Sequence, residues 1–144
     1  MPAVRLQPKG KTVTTELYWL TLTALMTALL WVPYVLNRMV VTGLGGALAG
    51  TAPDIGKLSD WAQRACRAHT NAIENLAIFA PIVLTAHVLG ISNAATRAAV
   101  VVYFFARLSH FVVYSAGIPA ARTLTFTAGW LAQIAIILSI LRWI

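Results

Sequence analysis

Four apolar stretches, each long enough to cross a lipid bilayer, constrain the fold of this chain more than any other feature of its sequence. Crossing the hydrocarbon as a helix takes about 20 residues. Helices and closed barrels span membranes because they satisfy the backbone polar groups internally. The sequence therefore predicts an all-α integral membrane four-helix bundle in one domain, residues 1–144, with helices over residues 17–40, 60–90, 93–117 and 122–143.

The composition agrees with a multi-pass membrane protein. Of the 144 residues, 59% are hydrophobic and 10% are charged, whereas about a quarter of the residues of an ordinary soluble domain are charged. The net charge is +7, but the basic residues lie mostly at the edges of the apolar stretches, as they do in membrane proteins. Nucleic-acid binders cluster such charge on a soluble face, so we expect no nucleic acid as a partner. The single cysteine, Cys66, excludes an intrachain disulfide, and we predict no metal site.

Turn and capping residues separate the predicted helices. The stretch over residues 41–59 contains five of the nine glycines and is predicted to be a long flexible loop. Ser59 is expected to cap the second helix and Asn93 the third. Pro33 and Pro81 are expected to bend the first and second helices.

Polar residues follow one face of three of the predicted helices, since residues three, four and seven apart lie on the same side of a helix. These residues are Arg67, Asn71 and Glu74 on the second helix, Tyr103, Arg107, His110 and Tyr114 on the third, and Arg122 and Gln133 on the fourth, in line there with Phe126 and with Gly129 or Trp130. A charged residue near the bilayer centre costs roughly 2.5–3.5 kcal/mol, so such residues normally face the bundle interior and find partners there. We expect Glu74 to pair with Arg107 or Arg67. The remaining positive charge predicts a water-accessible pocket for an anionic, polar ligand.

Other interpretations of these residues remain open. Arg64 and Arg67 could mark the interfacial end of a helix, and Glu74 with Arg107 could form a purely structural ion pair. The chain could then be a non-catalytic membrane protein that binds a lipid, an anionic ligand or a partner through its basic cavity. A transporter or proton relay that uses Glu74, Arg107 and His110 is disfavoured, because residues 77–84 are nearly pure hydrocarbon.

Three motifs resemble those of a known family. The second helix contains RACRAHTNAIEN, the third contains RLSHFVVY, and ARTLTF opens the fourth. In this order they resemble the signature of the MAPEG family, the membrane-associated proteins in eicosanoid and glutathione metabolism. The resemblance covers essentially the whole chain and is closest to small bacterial members similar to microsomal glutathione transferases. It implies a homotrimer of four-helix bundles in the bacterial inner membrane, with glutathione as cosubstrate between neighbouring subunits.

The resemblance also assigns roles to individual residues. It implies that glutathione is bound by residues of three helices, together with Arg38 near the end of the first and Thr123 in place of a serine on the fourth. Those residues are Arg67, Asn71 and Glu74 on the second helix, and Arg107, His110 and Tyr114 on the third. Arg122 corresponds to the arginine that stabilises the glutathione thiolate, which makes it the implied catalytic residue.

The implied activity is that of a glutathione-dependent transferase or peroxidase in detoxification. Its second substrate would be a hydrophobic electrophile or a lipid hydroperoxide that arrives from the surrounding membrane lipids. Phe126 stands where several relatives have a tyrosine that touches the ligand, and Thr70 stands where some have a further basic residue. These departures argue against the specialised eicosanoid activities of the family.

Overall fold

A computed structural model describes residues 12–48 and 55–144. In these residues the secondary structure is entirely helical: α1 is Thr15–Leu29, α2 is Val32–Leu48, α3 is Asp60–Val88, α4 is Ala94–Ala116 and α5 is Pro119–Ile140, with a short 3-10 turn at Ile55–Lys57. The first two helices together form one candidate span, Thr15–Leu48, and α3, α4 and α5 form three more. Four helical segments are therefore long and apolar enough to cross a membrane, which confirms the predicted all-α membrane fold.

The first span is broken into two helices just before Pro33. Leu30 N–H donates to Thr27 O at 3.2 Å, which ends α1, and Val35 N–H donates to Trp31 O at 3.2 Å in the first turn of α2. Proline has no N–H to donate, and its ring clashes with the carbonyl of the residue four positions earlier. A helix therefore does not run unbroken through Pro33. The break therefore lies where the sequence predicted a kink.

The helix after this break continues further than the sequence predicted. It runs to Leu48 rather than ending near residue 40, so much of the predicted loop is helical. Gly43 interrupts it with φ 72° and ψ 165°, a conformation that side chains disfavour. Arg38 Nη2 donates to Gly46 O at 3.4 Å across this interruption. The glycines therefore permit a local break in a helix and do not by themselves make a loop.

Two predicted caps have different outcomes. Asn93 forms a full capping box at the start of α4, as predicted: its side chain accepts from Thr96 N–H at 2.9 Å, and the Thr96 hydroxyl accepts from Asn93 N–H at 2.9 Å. Ser59 is the N-cap residue of α3, but its side chain accepts no hydrogen bond from that helix. Its hydroxyl instead accepts from Asn37 Nδ2 at 3.0 Å, and Asn37 Oδ1 accepts from Ser59 N–H at 3.1 Å. Asn37 thus ties α2 to the start of α3.

The core lies between α1, α3, α4 and α5, and α1 contributes Leu20 to it. The rings of Phe79 and Tyr103 stack with centroids 3.6 Å apart and an angle of 7° between their planes. Val83, Val100 and Ile136 complete the centre of this core, and all are buried. The α4–α5 pair has the most extensive packing in the described chain. The polar end of this pair forms the site described next.

The break in the first span is also held by a polar contact to α3. The Tyr34 hydroxyl lies 2.9 Å from His69 Nδ1. The two rings also lie close together, with centroids 5.8 Å apart. His69 is thus a structural residue between helices.

Candidate ligand-binding site

Arg107 lies at the centre of the polar end of the bundle. Its side chain is 2% exposed, and its Nη2 donates to Asn71 Oδ1 at 2.6 Å, which links α4 to α3. Its Nε and Nη1 are buried and have no hydrogen-bond partner among the described residues. Gly129 on α5 makes room for it, since a Cβ there would lie 3.3 Å from Arg107 Cδ. A guanidinium is thus held inside the bundle with two donors unused.

The predicted ion pair between Glu74 and Arg107 is wrong for the single chain. Arg107 bonds to the neutral amide of Asn71, and Glu74 is exposed without a hydrogen bond or ion pair to any described residue. Asn71 and Glu74 lie on the same face of α3, nearly one helical turn apart. That face contacts α4 through the side-chain amide of Asn71 and not through the Glu74 carboxylate. No carboxylate in the described chain compensates the charge of Arg107.

His110 lies one turn beyond Arg107 on α4. It is 3% exposed, and its Nδ1 lies 3.1 Å from Arg122 O and 3.2 Å from Thr125 Oγ1. Since a carbonyl oxygen only accepts, the contact with Arg122 O assigns the hydrogen to Nδ1. Its Nε2 is then an acceptor, buried and without a partner in the described residues. His110 therefore fixes the first turn of α5 and leaves one ring nitrogen for a ligand.

Tyr114 and Arg122 form the outer part of the site. The guanidinium carbon of Arg122 lies 4.9 Å from the centroid of the Tyr114 ring, which is a cation–π geometry. Arg122 is exposed and belongs to the first turn of α5, where the helix dipole adds a partial positive charge. α5 begins at Pro119, three residues before the predicted start, because proline is well suited to the first helical position.

A cavity of about 310 Å³ lies among these side chains. It is lined by Asn71, His110, Tyr114, Arg122, Thr123 and Phe126. Ligand pockets are typically about 300–1,000 Å³, so one chain provides the lower end of that range. Five of the nine sequence-predicted site residues line this cavity. Arg107 packs behind it, with its guanidinium carbon 5.8 Å from the centroid of the Phe126 ring.

A second cavity of about 230 Å³ adjoins the first and shares Tyr114 and Arg122 with it. Arg64, which was not among the predicted site residues, also lines this cavity. Its Nε donates to Ser115 O at 2.9 Å, at the carboxyl end of α4. Its place one turn before Arg67 on the same helix face was a signal that could have identified it. The described lining of the two cavities contains basic side chains and no acidic one.

The remaining predicted residues do not reach either cavity. Arg67 and Glu74 are exposed on α3 and have no hydrogen bond or ion pair with described residues. Arg38 is half-buried and contacts Gly46 of its own helix. The single chain therefore brings together the predicted residues of α4 and α5 with Asn71, and leaves Arg67, Glu74 and Arg38 apart from them.

A comparison with protein-family models finds a match over residues 17–142 to the one described as MAPEG family. The matched range includes every predicted site residue and nearly the whole chain. Among curated proteins, none matches the sequence significantly.

Proposed function

Because this chain belongs to the MAPEG family, we propose that it is a membrane-embedded glutathione transferase or peroxidase. It acts on hydrophobic electrophiles or lipid hydroperoxides, as a homotrimer in the inner membrane of a bacterium. The observation that carries this proposal is the buried guanidinium of Arg107. Two of its nitrogens have no partner among the described residues, and the described lining of the adjacent cavity has no acidic residue.

The charge of Arg107 is the reason to expect an anionic ligand. The effective penalty for burying an ion is several kcal/mol unless it is paired and hydrogen-bonded. One hydrogen bond to a neutral amide does not offset that cost. A ligand carboxylate would accept from the unused donors in charge-assisted bonds, which are about twice as strong as neutral ones. Glutathione brings two carboxylates.

Arg122 is suited to activate the thiol. A free thiol has a pKa of about 8.5, and the thiolate is the nucleophile. A cation within a few ångströms lowers such a pKa by about 1–3 units, and Arg122 adds the field of its helix N-terminus. At neutral pH this shift converts a small thiolate fraction into a large one. Tyr114 holds the Arg122 guanidinium through its ring. The Thr123 hydroxyl on the same turn also lines the cavity and donates to Pro119 O at 3.3 Å, a long bond that it would exchange for one to the sulfur.

Both proposed reactions need only the thiolate and a hydrophobic second substrate. In conjugation, a bond forms between the glutathione sulfur and an electrophilic carbon, and the leaving group departs with its electron pair. In the peroxidase reaction, two glutathione molecules reduce a lipid hydroperoxide to an alcohol and water and form a disulfide. The second substrate enters from the lipid, because exposed apolar residues surround the site, among them Leu124 at 71% exposure.

The exposed charges on α3 are the reason to expect more than one copy. Each charge in a span costs roughly 2.5–3.5 kcal/mol on insertion scales, so Arg67 and Glu74 are poorly placed to face lipid. In the proposed homotrimer they face a neighbouring subunit. There, Glu74 accepts from the glutathione ammonium, Arg67 donates to a carboxylate, and Arg38 approaches from a neighbour. The cavity of one chain is completed by these residues.

Thiol-dependent turnover by the purified protein tests this proposal. We expect saturable, glutathione-dependent conjugation of a hydrophobic aryl halide or reduction of a lipid hydroperoxide in proteoliposomes. Arg67→Ala and Arg122→Ala should each reduce turnover. The matched control is Arg142→Ala, at the opposite end of the bundle, which should retain it. Glutathione binding without turnover on any substrate would support a non-catalytic member of the family and contradict the enzymatic proposal.

A further inference from the structure

A second polar cavity lies at the opposite end of the bundle from the arginine-lined site. It has a volume of about 170 Å³ and is lined by Thr14, Glu16, His87, Gly90, Ile91 and Ser92. These residues lie where α1 begins, where α3 ends and just before α4 begins. The cavity therefore lies at the level of one membrane surface, where lipid head groups are found.

Glu16 places a carboxylate on the wall of this cavity. Its side chain is 4% exposed, yet it lines the cavity. The Thr96 hydroxyl, 0% exposed, donates to Glu16 Oε1 at 2.7 Å. Glu16 forms no ion pair with any described residue. A carboxylate is thus fixed at a cavity wall without a direct cationic partner among the described residues, and buried charges normally have one.

A positive charge lies on the rim of the same cavity. Arg97 Nη1 donates to the hydroxyl of Ser92, a lining residue, at 3.4 Å. The charge of Arg97 acts on the Glu16 carboxylate without forming an ion pair. The cavity therefore has a negative charge, Glu16, on its wall and a positive charge, Arg97, on its rim. A ligand that carries a cation and an anion a few bonds apart complements this arrangement.

From these contacts we infer that the cavity binds the head group of a zwitterionic phospholipid with a primary ammonium, a phosphoethanolamine lipid. The ammonium donates to Glu16, and the phosphate accepts from Arg97. The volume is well below the roughly 300–1,000 Å³ of pockets for drug-sized ligands, and it suits a small head group. Exposed apolar side chains lie beside it for the acyl chains, with Val88 81% and Leu89 59% exposed.

A choline head group does not meet the same requirements. Its ammonium carries three methyl groups, so it has no N–H to donate to Glu16 and needs more room. A lipid is a better candidate than a dissolved amine, because the cavity opens where head groups are concentrated and apolar surface adjoins it. The inferred specificity is therefore for the primary ammonium of a membrane lipid.

Competition between lipids tests this inference. The protein in detergent is mixed with equal amounts of phosphatidylethanolamine and phosphatidylcholine of identical acyl chains, and retained lipid is counted by native mass spectrometry. We expect the ethanolamine lipid to be favoured by about tenfold, from the added charge-assisted hydrogen bonds. Glu16→Gln keeps an acceptor for Thr96 and should abolish the preference, whereas the control Asp60→Asn at the other end should retain it. Arg97→Gln should weaken retention of both lipids.

Two outcomes would overturn the inference. One is equal retention of the two lipids by the wild type, or a preference that survives Glu16→Gln. The other is displacement of the lipid by dilute phosphoethanolamine without acyl chains, which would make the ligand a dissolved amine. Thermal unfolding of Glu16→Gln in phosphatidylcholine serves as the folding control, so that loss of preference is separated from loss of structure.

Discussion

Replacing Arg107 by methionine should weaken glutathione binding by at least about 30-fold while leaving the unliganded protein as stable as the wild type, or more stable. Truncating one partner of a buried, hydrogen-bonded charge pair costs about 2–5 kcal/mol of binding free energy, and about 1.4 kcal/mol is tenfold in affinity. In the unliganded protein two buried nitrogens of the guanidinium lack a partner within residues 12–48 and 55–144. Removing that charge relieves a desolvation penalty.

The two effects separate a binding role for Arg107 from a structural one. Isothermal titration of glutathione in detergent measures affinity, and thermal unfolding without ligand measures stability. Methionine follows the path of the arginine side chain past Gly129, so packing there is retained. Arg97→Met on the same helix is the matched control and should bind glutathione normally. A variant of Arg107 that unfolds at lower temperature and binds glutathione as the wild type does would show that Arg107 serves only the fold.

Replacing Arg122 by alanine should abolish most of the glutathione thiolate at neutral pH and reduce turnover by about tenfold or more. A nearby cation lowers the pKa of a thiol by about 1–3 units, and each unit changes the thiolate-to-thiol ratio tenfold. Binding should fall much less than turnover, because Arg107 and Asn71 are expected to hold the tripeptide. The effect is therefore expected mainly on the chemical step.

Ultraviolet difference absorbance on mixing with glutathione measures the thiolate directly. Arg122→Lys retains the positive charge and should retain part of the signal, but without the planar contact to the Tyr114 ring it should not restore all of it. Thr123→Ser keeps the hydroxyl on the same turn and serves as the matched control. An unchanged thiolate signal in Arg122→Ala would remove the catalytic role from that residue.

The fold follows from the sequence because hydrophobic length is a property that each segment carries by itself. Segments of this length and composition have no alternative but to be membrane helices. The helix ends were less predictable. Gly43 was interpreted as part of a loop, yet it interrupts a helix that continues to Leu48. A glycine permits a turn without requiring one, and spacing alone does not distinguish the two.

The site residues that share one face of a single helix were predictable from the sequence. Arg107, His110 and Tyr114 share a face by their spacing, and the structure brings that face to Asn71, Arg122 and Thr123. Periodicity does not give the rotation of one helix against another. Glu74 was therefore predicted to pair with Arg107 or Arg67, whereas Arg107 bonds to Asn71 and Glu74 has no partner among the described residues. Arg67 and Glu74 lie on the surface of one chain without a partner among the described residues, and whether they meet a second copy is part of the proposal rather than of the sequence.

Two contacts between helix ends gave no signal in the sequence. Glu16 and Thr96 are 80 residues apart and belong to no motif. Their contact depends on the first turn of α1 lying beside the first turn of α4. Arg64 follows the spacing of the polar face on α3, but its bond to Ser115 O depends on where α4 ends, at Gly117 with φ 77°. Such contacts between helix ends are set by packing.

A structure of the protein with glutathione at millimolar concentration, by electron cryomicroscopy of the assembly, tests the anion-binding role of the buried arginine most directly. We expect glutathione between two subunits, with a carboxylate at Nε or Nη1 of Arg107 and the sulfur beside Arg122. We also expect Arg67 and Glu74 to face a neighbouring subunit. Glutathione absent from this cavity, or bound with Arg107 still lacking an anionic partner, would contradict the proposed site.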